Sequence, residues 1–243
     1  MDWKTSALRI FNRMGYGIYR IGSRNEYTPC PPYDYWTYSP WFEPWFREVY
    51  SKFADHTMVS EDRCYVIYKL CLHCMHLEGD FAECGVYRGG TAYLIADTLV
   101  CKSIKNKDVH LFDTFTGMPA IANHDPSGVK EGWFGDNSLS AVKGYLRTFS
   151  NVVFHPGVIP ETLDAVKDKK FAFVHIDVDL YQTAKDCCDF FYDRMQYCGV
   201  MIFDDYGFIP FSRSAKRAVD EFFKDKPESP LSLHTGQCVV IKL

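Results

Sequence analysis

The feature that most constrains this 243-residue sequence is an alternation of period. Short apolar runs of strand length stand at Phe81–Val86, Val109–Phe115, Val152–His155, Phe171–Asp179, Val200–Tyr206 and Cys238–Leu243. Between them, apolar residues at helical spacing fit Thr91–Cys101, Ser138–Phe149, Thr183–Met195 and Ser214–Phe223. A further helix opens at Ser60-Glu61-Asp62-Arg63, aligns Val66, Ile67, Leu70, Cys71, Cys74 and Leu77, and ends near Gly79. Parallel strands need crossovers of this kind, so the pattern predicts an α/β fold with a mainly parallel sheet and helices on both faces. Leu231–His234 joins Cys238–Leu243 around Gly236 as a closing antiparallel hairpin, which brings the sheet to seven strands.

The length suits one α/β domain with an appendage. The regular pattern occupies residues 57–243. Residues 1–56 form an aromatic-rich arm, with Tyr33, Tyr35, Trp36, Tyr38, Trp41, Phe42, Trp45 and Phe46 interrupted by Pro31, Pro32, Pro40 and Pro44. Such a segment packs on the domain or on a second subunit, or acts as a lid over a pocket, and its stickiness suggests a homo-oligomer. A net charge of −4 gives no broad basic field, so a small molecule is expected as partner in place of nucleic acid. No apolar run reaches the ~20 residues of a membrane span, and Met1-Asp2-Trp3-Lys4 opens no secretory signal; the expectation is a soluble cytoplasmic protein without membrane contact. The cysteines are scattered, and Cys71-Leu72-His73-Cys74 is a lone CxxC inside a helical pattern, so buried thiols are expected in place of zinc.

In open α/β sheets, ligands lie beyond the carboxyl ends of the strands, and the polar residues there are the candidates for chemistry. The first strand runs into Phe81-Ala82-Glu83-Cys84-Gly85-Val86-Tyr87-Arg88-Gly89-Gly90-Thr91, whose glycines permit a ligand to approach the backbone ahead of a helix. This E-x-G-x-x-x-G-G turn is not the dinucleotide G-x-G-x-x-G, which argues against a nicotinamide oxidoreductase. The carboxylate of Glu83 suits a cationic amino-acid moiety; the plainer reading is a tight strand-to-helix turn. Asp113 ends the second strand and can accept from both hydroxyls of a ribose, or cap the Thr116-Gly117 loop.

The densest constellation comes later, where His175-Ile176-Asp177-Val178-Asp179-Leu180-Tyr181 and Phe203-Asp204-Asp205-Tyr206 end two strands. Strand alternation predicts Asp177 and Asp179 on one face, with Asp204 and Asp205 beside them. Four carboxylates this close raise one another's pKa, and a hard cation such as Mg²⁺, Ca²⁺ or Mn²⁺ relieves the repulsion. The alternative is a set of helix caps and solvated strand ends. A hydroxyl bound to such a metal becomes more acidic, and a neighbouring free carboxylate can take its proton. His175 reads as a buried structural histidine, with a supporting role behind the acids as the alternative.

These segments, together with Phe112-Asp113-Thr114-Phe115-Thr116-Gly117-Met118-Pro119 and Ala218-Val219-Asp220-Glu221-Phe222, resemble the macrocin O-methyltransferase (TylF) family over residues 57–243. The resemblance implies a Rossmann-like class I methyltransferase fold, S-adenosylmethionine as methyl donor, Mg²⁺ as metal, and sugar hydroxyls of glycosylated natural products as acceptors. Carried across, it makes Asp177, Asp204 and Asp205 the metal ligands and Asp179 the general base. Glu83, Gly85, Arg88, Gly89 and Gly90 would meet the methionine part and Asp113 the ribose. Asp136 would reach the adenine side, and Thr91, Thr114, Phe115, Ser138 and Asp177 complete the cofactor-binding set. The family's strand often reads Asp-Gly-Asp; Val178 stands in the middle here, and its side chain is expected to face away from both acids. A catechol-type or phenol O-methyltransferase shares the fold and the aspartate logic, and a non-catalytic nucleotide- or metal-binding scaffold is the non-enzymatic alternative.

Overall fold

The structure, a computed structural model, describes residues 27–29, 36–123, 125–126, 129–208, 211 and 213–243. Tyr33 and Tyr35 of the aromatic arm lie outside the described residues. The chain divides into two compact units, residues 1–47 and 48–243. In the first, β1 (Tyr27–Pro29) pairs antiparallel with β2 (Trp36–Tyr38), and a 3₁₀ turn follows at Pro40–Phe42. Helix α1 spans Pro44–Ser51. The remaining elements are α2 (Glu61–Cys74), β3 (Asp80–Cys84), α3 (Gly90–Cys101), β4 (Val109–Asp113), α4 (Leu139–Tyr145) and β5 (Val152–Pro156). They continue with β6 (Phe171–Ile176), α5 (Tyr181–Phe191), β7 (Met195–Phe203), α6 (Ala215–Phe223), β8 (Leu231–Ser232) and β9 (Cys238–Ile241).

Seven strands form one sheet in the order β5-β4-β3-β6-β7-β9-β8, parallel except where β9 pairs with β7 and β8. From β3 the chain winds toward β5, and from β6 toward β7. Right-handed crossovers in opposite lateral directions put α3 and α5 on opposite faces. The face under α5 and α6 buries Phe112, Phe171, Phe191, Phe203 and Phe223 with Ala82, Cys84, Val174 and Ile176. Each such phenylalanine contributes about 1.5–3 kcal/mol by leaving water. Alternation along the strands turns Glu83 and His175 to the other face, and the register sets them side by side. Cys71 and Cys74 are buried thiols on α2. No helix among the described residues is long and apolar enough to cross a membrane.

Several boundaries differ from the sequence pattern for identifiable reasons. Helix α2 stops at Cys74, not Gly79: the Leu77 N–H tightens onto the Cys74 carbonyl at 3.0 Å, Gly79 takes a left-handed backbone (φ 97°), and buried Lys107 caps the carbonyls of Leu77 and Gly79 through Nζ. Strand β6 stops at Ile176, since Asp179 adopts a left-handed backbone (φ 60°) that turns the chain out of the sheet. Strand β7 starts at Met195, five residues before the apolar run at Val200; a register shift opposite Phe171–Phe173 and a left-handed Cys198 absorb the irregular stretch. Helix α5 accordingly begins and ends earlier than its apolar spacing suggests.

Candidate active site

Between β3 and β6 the strand order reverses, and the space beyond the carboxyl ends opens there. A cavity of about 310 Å³ lies at this point, lined by the ends of β3, β4, β6 and β7 and by residues just ahead of α2. Its volume suits a ligand of nucleoside size. Gly85, Val86, Tyr87 and Thr91 line it from the β3 turn, Asp113, Thr114, Gly117 and Met118 from the β4 loop, and Asp177, Val178, Asp179 and Asp205 from the other half. Tyr87, Phe115 and Asp179, each within three residues of a strand end, hold left-handed backbones at φ 50°, 54° and 60°. Such conformations cost energy in non-glycine residues and gather where a site must be held in shape.

The glycine turn serves the protein as well as any ligand. Gly85 has φ +86°, and a Cβ there would stand 1.8 Å from the Asp177 carbonyl oxygen. A side chain would therefore push β3 from β6 at the switch point. Gly90 is required by Thr57 and His56, which a Cβ would meet at 2.7 and 2.8 Å. Asp113 ties this turn to the next strand: Oδ2 accepts from the N–H groups of Val86 (2.7 Å) and Tyr87 (3.0 Å), and Oδ1 from that of Phe115 (2.7 Å). It is thus a loop cap, on different residues than the sequence suggested, and it also faces the cavity.

Glu83 is fully buried and is absent from the cavity wall; Oε1 faces His175 Nδ1 at 2.9 Å, and Oε2 has no hydrogen-bond partner among the described residues. The expectation that it meets a ligand directly is not matched, because strand alternation turns it beneath the switch point, toward α2. His175 is fully buried, with Nε2 3.5 Å from Asp204 Oδ1, an ion-pair distance rather than a close hydrogen bond. Burial opposes its charge, yet attraction to Asp204 and Glu83 prevails and holds its pKa up at about 10.

Asp177, Asp204 and Asp205 each bring one oxygen within 4.8 Å of the others. Burial and the charges of Asp204 and Asp205 push Asp177 well above the carboxylate range; burial, then Asp179 and Asp204, do the same to Asp205. Asp204 goes the other way, since His175, Arg63 and Gln237 overcome its burial. Asp179 shares a hydrogen bond with Asp205 and is pushed up to about 6, chiefly by burial. The four acids do meet, but through a turn and not through strand alternation. For the same reason Val178 lines the cavity and packs on the core instead of facing away.

Arg88, Asp136 and Ser138 stand apart from the cavity wall. Arg88 and Asp136 are exposed and paired with each other, the Tyr87 hydroxyl donates to Asp136 at 3.3 Å, and Ser138 caps α4 through the Ala141 N–H. Phe115 is buried beneath the site, and Gly89 packs its turn against Val142. Sequence reasoning missed Arg63, which lines the cavity and donates to Asp204 Oδ2, and Gln237, which donates to Asp204 Oδ1 at 2.9 Å. A clue to Arg63 was available: a cation in the first turn of a helix opposes the helix dipole and needs a carboxylate elsewhere.

A seven-stranded sheet of this order, with a glycine turn after β3 and acids after β4, β6 and β7, defines a Rossmann-like class I methyltransferase. The chain belongs to the macrocin O-methyltransferase (TylF) family, whose model matches residues 50–239. Demethyldecarbamoylnovobiocin O-methyltransferase of Streptomyces niveus is 29% identical over 187 residues, 69% of this chain and 67% of that relative. The 8-demethyl-8-(2,3-dimethoxy-alpha-L-rhamnosyl)-tetracenomycin-C 4'-O-methyltransferase of Streptomyces olivaceus is 26% identical over 138 residues, 53% of each chain. The solved O-methyltransferase NovP shares the fold with a TM-score of 0.67 at 24% identity, over 77% of this chain and 82% of its own. The chain is accordingly an S-adenosylmethionine-dependent O-methyltransferase.

Proposed function

We propose that this enzyme is Mg²⁺-dependent and methylates a hydroxyl on a sugar of a glycosylated natural product. The observation that carries the metal is the convergence of Asp177, Asp204 and Asp205 beside the cavity, with Asp205 Oδ2 buried and lacking a partner among the described residues. Three carboxylates with two held above their usual range form a site short of positive charge, and an oxygen donor set fits Mg²⁺. Mg²⁺ bound there supplies Lewis acidity toward an acceptor hydroxyl. Asp179, close to neutrality in its pKa and next to Asp205, takes the hydroxyl proton. The oxygen freed of its proton would take the methyl group of S-adenosylmethionine as the methyl–sulfur bond breaks, leaving S-adenosylhomocysteine.

The β3 turn and Asp113 orient the donor, Gly117, Met118, Val158 and Ile159 wall its nucleoside end, and Thr183 and Phe211 border the acceptor side. Apolar walls of this kind exclude water from the reacting atoms. The sugar acceptor rests on the rhamnosyl group in the name of one relative. The work is that of a small-molecule enzyme in the cytoplasm, with a homo-oligomer as the working form. Calorimetry of S-adenosylmethionine with and without Mg²⁺, followed by a methyl-transfer screen over glycosides and catechols with and without EDTA, tests the reading. Turnover of glycosides that EDTA abolishes is expected; EDTA-resistant turnover would overturn the metal, and turnover of catechols alone would overturn the sugar.

A further inference from the structure

Asp204 is approached from three elements far apart in sequence. Arg63 on α2, separated from it by 141 residues, donates through Nη1 to Oδ2 and fixes its own fork with Nη2 on the Met58 carbonyl at 3.0 Å. Gln237, immediately before β9, donates through Nε2 to Oδ1 at 2.9 Å. His175 on β6 brings Nε2 to 3.5 Å from the same Oδ1. Asp204, His175 and Gln237 have no exposed surface, and the Arg63 side chain is 14% exposed. The amide of Gln237 is fixed in turn: the Thr235 hydroxyl donates to Oε1 at 3.1 Å, and Nε2 also reaches the Arg63 carbonyl at 3.4 Å.

The other two members of the acid trio are not held this way. Asp205 Oδ2 has no hydrogen-bond partner among the described residues, whereas both oxygens of Asp204 accept from a side chain. We infer that Arg63, His175 and Gln237 are positioning residues that preset Asp204 as the rotationally fixed ligand of the metal site, with Gln237 setting the carboxylate's rotation. The inference rests on the metal reading above. Gln237 is the diagnostic member, because it is neutral: replacing it alters geometry while leaving the charge around Asp204 unchanged. Groups that orient first ligands in this manner typically govern metal affinity over a ten- to hundredfold range.

The test measures Mn²⁺ binding to the full chain by calorimetry, beside S-adenosylmethionine binding, thermal midpoint and the metal dependence of turnover. For Gln237→Met, Mn²⁺ binding is expected to weaken by about tenfold and the KM for metal to rise in step. S-adenosylmethionine affinity and kcat at saturating metal should hold. Thr235→Val, which frees the Gln237 amide from a partly exposed loop, should move the metal constants in the same direction by a smaller factor, and it serves if Gln237→Met fails to fold. Unchanged metal affinity in both variants, with only a lowered thermal midpoint, would reduce Gln237 to a tie between hairpin and helix and overturn the inference. A wild-type chain that binds S-adenosylmethionine but no Mn²⁺ or Mg²⁺ would overturn the metal reading itself, a distinguishable result.

Discussion

Acids gather at both ends of the sheet, and the two gatherings are neutralised in different ways. At the amino end, Asp80 accepts from Lys169 Nζ at 2.7 Å, faces His110 Nε2 at 3.2 Å, and accepts the Asp108 N–H at 3.0 Å. Those bonds outweigh burial and hold its carboxyl well below the ordinary range. At the carboxyl end, Arg63 reaches Asp204, while Asp177 and Asp205 stay high. Proximity alone would make both clusters candidates for a metal. A resident lysine makes the first a structural device, and a deficit of cations leaves the second available for chemistry.

Substitutions at the two ends should therefore have opposite signatures. The largest effect is expected for Asp179→Asn, a loss of methyl transfer of roughly 10²–10⁴-fold with S-adenosylmethionine binding retained. Asp205→Asn should abolish metal binding in calorimetry, yet leave the thermal midpoint of the metal-free protein equal or higher, because it removes a repelled buried carboxyl. Asp80→Asn should do the reverse, lowering unfolding stability by about 1.5–3 kcal/mol in a urea titration with kcat unchanged. If Asp205→Asn destabilised as much as Asp80→Asn, the contrast between the ends would collapse.

A smaller effect separates the ends by pH. Burial, and then His110, push His155 down to about 4, so the folded chain keeps it neutral while the unfolded chain protonates near 6.5. Its contribution to stability is complete above about 6.5 and is lost as pH falls toward 4. Thermal midpoints should decline over that window in wild type and decline less in His155→Phe. An identical slope in the two proteins would assign the acid sensitivity elsewhere. The smallest effect is expected for Arg88→Ala at the exposed pair with Asp136: no measurable change in thermal midpoint, and any change confined to S-adenosylmethionine affinity. A large thermal loss there would show that the surface pair holds the β3 turn.

The order of elements was legible because period 2 and period 3.6 alternate over long stretches, and the acids at strand ends stood out because strand ends are where the pattern breaks. What escaped was set by partners remote in sequence. Nothing local to Leu77–Gly79 announces that Lys107 will take its carbonyls. Nothing local to Asp177-Val178-Asp179 announces the left-handed turn that replaces alternation and brings Val178 to the cavity. Glu83 stood out as a residue of interest, yet nothing local to it announces that His175, 92 residues away, will meet its carboxylate beneath the switch point. Arg63 and Gln237 carry no motif, and only the fold brings them to Asp204.

The insertion of β9 between β7 and β8 has a consequence in time. During synthesis the ribosome releases β7, with Asp204 after it, well before Gln237 and β9. Until that strand arrives, the edge of β7 stays unpaired and Asp204 lacks one of its fixed donors. Closing a contact across the 174 residues between Gln237 and Arg63 costs more chain entropy than closing a local one. Competence for chemistry is then acquired later by the nascent chain than the acids themselves, and a nascent chain stalled before residue 237 would carry the acids with one of Asp204's donors missing.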